Sequence, residues 1–212
     1  MRQKEIRNIS KIITIIASCI IVLGTYFILS DNSVDKKIKP VEAEVDIGGD
    51  FELTNLENLK ESTQVYNNKY KLIYFGFTFC PDICPATLYL MSSVIEITDK
   101  YGIDIVPIFV TIDPKRDDIE TLKSFLSHFN SKIIGYTGTE EEIRKVADLY
   151  KVFFAKAPKK PEDKDYEEDY MMDHSSFLYL ISPDAKYAKH FPSSASAEEI
   201  ANYIHKLVSK DK

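Results

Sequence analysis

Apolar residues change spacing repeatedly along this chain, and each change marks a predicted element. Residues 12–29 (IITIIASCIIVLGTYFIL) form an 18-residue run without a charge, close to the length needed to cross about 30 Å of hydrocarbon at about 1.5 Å per residue. The run predicts a transmembrane helix. Residues 71–79 (KLIYFGFTF) are β-branched and aromatic, apolar almost throughout, as in a strand buried on both faces. Pro85 suits the first position of a helix, and residues 86–100 carry Leu88, Met91, Val94 and Ile95 at helical spacing before Gly102 ends the run. Residues 103–112 predict a second buried strand. Residues 117–129 predict a second amphipathic helix, with Ile119, Leu122, Phe125, Leu126 and Phe129 on one side.

Residues 133–136 predict a third strand, and Thr139 with Glu142 forms a capping-box pattern opening a helix to about Tyr150. Residues 152–155 are a short strand candidate. Residues 177–181 and 187–191 flank the turn Ser182-Pro183-Asp184-Ala185 as a hairpin, and Ser196 and Glu199 cap a terminal helix to about Val208. Strands alternating with helices and finishing in a hairpin and a helix predict an α/β fold, a mixed sheet with helices on both faces. The polar residues 30–46, with Pro40, read as a linker, and the domain as residues 47–212. The charged residues 158–170 (PKKPEDKDYEEDY) read as a solvated loop.

At 212 residues, 44% hydrophobic and 28% charged, the chain has material for one ordinary domain besides the apolar run. A cleaved signal peptide has an apolar core of about 7–15 residues and a small-residue cleavage site. Here the core is longer and leads into Ser30-Asp31-Asn32, so an uncleaved anchor is expected. Arg2, Lys4, Arg7 and Lys11 precede it, and Lys36, Lys37 and Lys39 beyond it weaken the asymmetry without reversing it. Residues 1–11 are therefore expected in the cytoplasm and the body outside it. The lack of an Arg- and Ser-rich leader favours a bacterial inner membrane, with the domain in the periplasm, over a mitochondrial one. The net charge of −6 combines a leader of +3 with a remainder of −9. Phosphate would repel so acidic a body, which argues against nucleic acid as a partner.

Three cysteines are present. Cys19 falls within the apolar run, leaving Cys80 and Cys84 for a compartment where thiols tend to oxidise. A structural disulfide is one reading, although closing so short a loop removes little entropy from the unfolded chain. With Pro85 as the first helical residue, Cys84 falls at the helix cap and Cys80 one tight turn earlier, past the carboxyl end of a central strand. Open α/β sheets bind ligands at that edge, and a helix N-terminus favours thiolate over thiol.

Structural zinc sites usually take four protein ligands, and the chain has no second cysteine pair. Copper(I), soft and content with few ligands, suits two thiolates and an imidazole. His128, His190 and His205 lie within predicted helices or a hairpin strand, where packing or surface roles are the default. His174 lies in Met171-Met-Asp-His-Ser-Ser176, between the charged loop and a strand, where sites are assembled. The competing reading is a thiol-disulfide oxidoreductase or thiol peroxidase with Cys80 or Cys84 as nucleophile. Its usual spacing is Cys-x-x-Cys rather than Cys-x-x-x-Cys, and it leaves His174 without a role.

Four segments in order, Ile47-Gly-Gly-Asp-Phe51, Phe75-Gly-Phe-Thr-Phe-Cys-Pro-Asp-Ile-Cys-Pro85, Thr111-Ile-Asp-Pro-Lys-Arg-Asp117 and Asp173-His174 with Tyr179-Leu-Ile-Ser-Pro-Asp184, resemble the Sco/SenC family. Its members are membrane-anchored, thioredoxin-like proteins that assist copper assembly of cytochrome c oxidase. The resemblance covers nearly all of the chain beyond the linker. It implies a copper site of Cys80, Cys84 and His174 in a thioredoxin fold, with the insertion before the histidine at residues 158–170. It further implies Cu(I), with Cu(II) as a second state, and oxidase subunit II as partner. That subunit's dinuclear copper A centre would receive the metal, or its cysteines would be reduced. Other periplasmic copper chaperones would act upstream. Asp82 is expected to shape the turn or meet a partner, and Asp113 to support the site from behind or to start the turn beside Pro114. Ala185 departs from the glycine expected in the hairpin turn.

Overall fold

A computed structural model describes residues 17–26, 47–158 and 170–210, and the chain divides into two units, Met1–Val45 and Asp46–Lys212. In the first, residues 17–26 form helix α1, uncharged, with exposed side chains such as Ile20, Ile21, Val22 and Leu23. The rest of the predicted span 12–29 and the whole linker 30–46 lie outside the described residues. Among the described residues no helix is long and apolar enough to cross a membrane.

The second unit runs β1 (Glu52–Asn55), β2 (Lys60–Ser62), β3 (Tyr70–Gly76), α2 (Ile83–Lys100), β4 (Ile105–Thr111), α3 (Ile119–Leu126), β5 (Ile134–Thr137) and α4 (Glu140–Leu149). It continues with β6 (Phe154–Lys156), β7 (Met172–His174), β8 (Phe177–Ile181), β9 (Tyr187–Pro192) and α5 (Ala197–Lys210). Seven strands form one sheet in the order β2-β1-β5-β4-β3-β8-β9, and β6 and β7 form a separate antiparallel ribbon. The three central strands β3, β4 and β5 run parallel.

Every residue of β3 and β4 is buried, the reason both read as continuous apolar runs. Tyr74 faces α2 and α3: its ring lies 6.1 Å from Phe109, which in turn lies 6.1 Å from Phe125 of α3. The next residue, Phe75, faces the other way, 5.4 Å from Tyr150 at the end of α4. Successive side chains of one strand thus meet helices on opposite faces, as the pattern predicts. The capping box of Thr139 and Glu142 forms as expected, and Ser196 Oγ accepts from Glu199 N at 3.1 Å at the start of α5.

Strands β1, β2 and β7 carry no apolar signature, being short and of mixed polarity, and backbone pairing recruits them. Thr54, for example, pairs with Thr137 of β5. Lys71 is fully buried within β3; its Nζ donates to Asn67 Oδ1 at 3.0 Å and lies 3.6 Å from Asp50 Oδ1, so the charge is met at the end of its stem.

The β8–β9 turn places Ala185 at φ +62°, a left-handed conformation costing an L-residue about 1–2 kcal/mol. Glycine relieves that strain but adds about 0.5–1 kcal/mol of unfolded-chain entropy. Ala185→Gly is therefore expected to raise stability by a few tenths of a kcal/mol to about 1 kcal/mol, read from the midpoint of denaturant unfolding at unchanged slope.

Candidate metal centre

The site grows from the carboxyl end of β3. A Cβ on Gly76 would lie 3.0 Å from each of Cys84 Sγ, Phe109 and Tyr74, so a side chain at this closely packed strand end would fit only if those neighbours gave way by a few tenths of an ångström. Beyond it the chain turns, with Cys80 N donating to Phe77 O at 3.3 Å. Thr78 anchors this turn: its N–H and hydroxyl donate to the Asp117 carboxylate at 3.0 and 2.6 Å. Thr111 Oγ1, at the end of β4, donates to the same carboxylate at 2.6 Å. Asp117 is fully buried; burial raises its pKa, and the threonine hydrogen bonds pull the other way. It was expected only as the start of a helix, whereas Asp118 is the N-cap of α3, accepting from Thr121 N at 2.8 Å.

Helix α2 begins at Ile83, two residues earlier than expected, so Cys84 is its second residue and Pro85 its third. Proline is tolerated there because N–H groups of the first turn lack intrahelical partners. Asp82 occupies the N-cap without a side-chain capping bond; its carbonyl accepts the first helical hydrogen bond, from Ala86 N at 3.1 Å, and its side chain is exposed.

Cys84 N–H donates to Cys80 Sγ at 3.4 Å, and no disulfide joins the two cysteines. Hydrogen bonding from the Cys84 thiol lowers the Cys80 pKa to about 6; burial opposes the shift, and the N–H groups of Asp82, Cys84 and Ile83 assist it. The same bond and burial push Cys84 up, while Tyr74 donates its hydroxyl to Cys84 Sγ at 3.4 Å. The two shifts run in opposite directions, favouring the thiolate at Cys80 and the thiol at Cys84. Alkylation with iodoacetamide at pH 7 is expected to label Cys80 well before Cys84. Its rate should rise with pH through a midpoint near 6, rather than near the usual thiol value of about 8.5.

His174 arrives on β7, opposite Phe154 of β6, with Ser175 N donating to Phe153 O at 2.9 Å. Its Nδ1 lies 3.2 Å from Ser175 O. The carbonyl can only accept, which puts the ring proton on Nδ1 and leaves Nε2 with a free lone pair. Nε2 lies 3.6 Å from Cys84 Sγ. Burial lowers the His174 pKa and so favours the neutral imidazole. The ring stands edge-on to Phe77 and Tyr74 at 5.9 and 6.3 Å.

Bonds of about 2.3 Å to sulfur and about 2.0 Å to imidazole, the zinc values taken as a guide, span about 3.5–3.7 Å at tetrahedral to trigonal angles. The observed 3.6 Å fits one metal between Cys84 and His174. Among the described residues no group of three His, Cys, Asp or Glu side chains stands ready to hold a metal.

Asp113 touches none of the three. Its carboxylate accepts from Arg116 Nε and Tyr170 Oη, each at 2.6 Å, and its carbonyl starts the turn, accepting from Arg116 N and Asp117 N. The Arg116 guanidinium lies 3.6 Å over the Tyr170 ring and 4.5 Å over the Phe79 ring. Asp113 begins a turn, and through this cluster it ties Phe79, next to Cys80, to Tyr170, four residues before His174. Tyr170 is buried, against the expectation of a solvated loop for 158–170; residues 159–169 lie outside the described residues.

The family model described as SCO1/SenC matches residues 39–209. The chain belongs to the SCO1/SenC family. A SCO2-like protein of Rickettsia felis is 43% identical over 201 residues, covering 93% of this chain and 96% of that protein. The human "Protein SCO1 homolog, mitochondrial" is 38% identical over 160 residues, 74% of this chain and 52% of its own length. Among solved structures, Arabidopsis thaliana ScoI with copper bound superposes with a TM-score of 0.70 at 33% identity, covering 77% of this chain and 99% of that one. The mixed sheet with flanking helices is therefore the thioredoxin-like architecture of Sco proteins.

In this SCO1/SenC chain the other histidines pack rather than gather. His128 Nδ1 lies 3.1 Å from Phe125 O, His190 Nδ1 lies 2.5 Å from Tyr187 Oη, and His205 packs on Tyr101 with ring centroids 4.8 Å apart. Tyr74, Phe75 and Phe77 are core, as expected of the aromatic run, although Tyr74 and Phe77 also wall the site, and Phe79 is half exposed beside Arg116. Asp117 and Tyr170 are the residues that sequence reasoning missed. Asp117 closes one of the segments that carry the family resemblance, the signal that could have found it.

Proposed function

We propose that this chain is a copper-binding assembly factor for cytochrome c oxidase, with Cys80, Cys84 and His174 as its ligands. The observation that carries the proposal is the 3.6 Å approach of His174 Nε2 to Cys84 Sγ across 90 residues of sequence, beside Cys80 Sγ, which accepts from the Cys84 N–H. Two soft sulfurs and one neutral imidazole suit Cu(I), and the copper-bound ScoI relative supports the same metal. Cys80 offers its thiolate first. Cys84 joins as its proton passes to water, and the Ser175 carbonyl keeps the imidazole in the ligating tautomer.

The finer reading is delivery to the dinuclear copper A centre of oxidase subunit II, with other periplasmic copper chaperones upstream. Residues 12–29 would anchor the chain in the inner membrane, with residues 1–11 in the cytoplasm and residues 47–212 in the periplasm beyond the linker. The uncharged run, its cationic flank and the exposed apolar side chains of α1 support the anchor. A second reading, a thiol-disulfide reductant of subunit II cysteines, is favoured by the low pKa of Cys80 beside a resolving Cys84.

The test is anaerobic Cu(I) loading of the fully reduced full-length chain in a mild detergent. One tightly held copper per chain, lost in Cys80→Ala and Cys84→Ala, is the expected result. A chain that holds no copper tightly but exchanges disulfides quickly would transfer the function to the reductant reading.

A further inference from the structure

We infer that Met171 and Met172 form a thioether station through which Cu(I) enters and leaves the Cys80–Cys84–His174 site. The inference rests on the copper reading above and deepens it. Of the four methionines in the chain, Met91 is sealed in the core, whereas Met171 and Met172 directly precede Asp173-His174. Both line one open depression whose walls include Phe77, Cys80, Asp82 and His174. Met171 is 44% exposed, so packing accounts for little of its presence, and its backbone is pinned by Ala157 N donating to its carbonyl at 2.8 Å. Met172 and His174 are two residues apart on β7 and so share one face of the strand. Asp82 and Asp173, both exposed, line the same depression and give it a negative field that attracts a small cation.

A thioether is soft, polarisable and uncharged. It therefore holds Cu(I) more weakly than a thiolate does, which makes it a station rather than a sink. Copper arrives by ligand exchange: a bond to a methionine sulfur forms as one bond to the donor's ligand breaks. The Cys80 thiolate then displaces the thioether, Cys84 binds as its proton passes to water, and His174 Nε2 completes the set. Copper stays Cu(I) throughout and no electron moves.

Leucine keeps the volume and apolar character of methionine and removes only the sulfur, so the double variant Met171→Leu/Met172→Leu separates ligation from apolar contact. The experiment uses the reduced full-length chain, carbon-13 labelled at the methionine methyls, with Ag(I) and Cu(I) as probes. Cu(I) uptake from a chromophoric Cu(I)–bicinchoninate complex is followed by stopped flow. Sub-stoichiometric Ag(I) added to the Cys80→Ser/Cys84→Ser form is expected to shift the methyl resonances of Met171 and Met172 and leave Met91 unmoved. The leucine variant is expected to take up Cu(I) several-fold more slowly at nearly unchanged final affinity. Unmoved methyls, or an unchanged uptake rate, overturn the station while leaving the three-ligand site standing. A parent chain that takes up no Cu(I) overturns the copper reading itself.

Discussion

His174→Ala is expected to lower the Cu(I) affinity of the reduced chain by more than the about 10–100-fold that loss of a partner behind a metal ligand costs, because it removes one of the three proposed ligands. Two thiolates remain, and copper bound by them alone lies open to water and competing ligands on the side the imidazole filled. The fold should survive: His174 is half-buried, edge-on to Phe77 and Tyr74, so truncation costs roughly 1–2 kcal/mol. Disulfide exchange between Cys80 and Cys84 should largely persist, since neither the low pKa of Cys80 nor its place in the turn before α2 depends on the imidazole. The check is competition for Cu(I) against a chelator of known affinity, run beside a thiol-exchange assay. Wild-type copper affinity in the variant would remove His174 from the ligand set.

Asp117→Ala is expected to be the most destabilising change at the site, by about 3–5 kcal/mol. Its carboxylate receives three hydrogen bonds, from Thr78 N, Thr78 Oγ1 and Thr111 Oγ1, and the variant leaves those donors without their acceptor. The two hydroxyls can rotate to other acceptors; the Thr78 amide cannot. Loss of the anchor frees the turn carrying Cys80, so copper affinity should fall together with stability. Asp117→Asn keeps one acceptor oxygen but sets an NH2 group against a donor, and should fall between wild type and alanine. Denaturant unfolding of the three forms checks the order. Equal stability of wild type and alanine would show that the turn is held elsewhere.

The central strands were legible because burial on both faces leaves them no polar alternation to hide, and α4 because its capping box is local chemistry. The N-terminus of α2 was misplaced by two residues: proline preference marks the first position, whereas the actual start follows from the Cys80 turn, where Cys84 N–H finds a sulfur acceptor. Asp113 and Asp117 look alike in sequence, both beside a turn. Only packing distinguishes the one clipped to Arg116 and Tyr170 from the one holding Thr78.

By itself the sequence determined the alternation of strands and helices and the placing of Cys80 and Cys84 at a strand-to-helix turn, because these depend on residues within a few positions of one another. It singled out His174 by its place between a charged segment and a strand. The tertiary structure decided what no local pattern encodes: that His174 reaches Cys84 across 90 residues, that its proton sits on Nδ1, and that Asp117 and Tyr170 brace the two halves of the site. Those outcomes come from the closing of the sheet and the β6–β7 ribbon, which sets side chains distant in sequence at hydrogen-bonding separation. The energies involved belong to pairs that exist only in the folded chain.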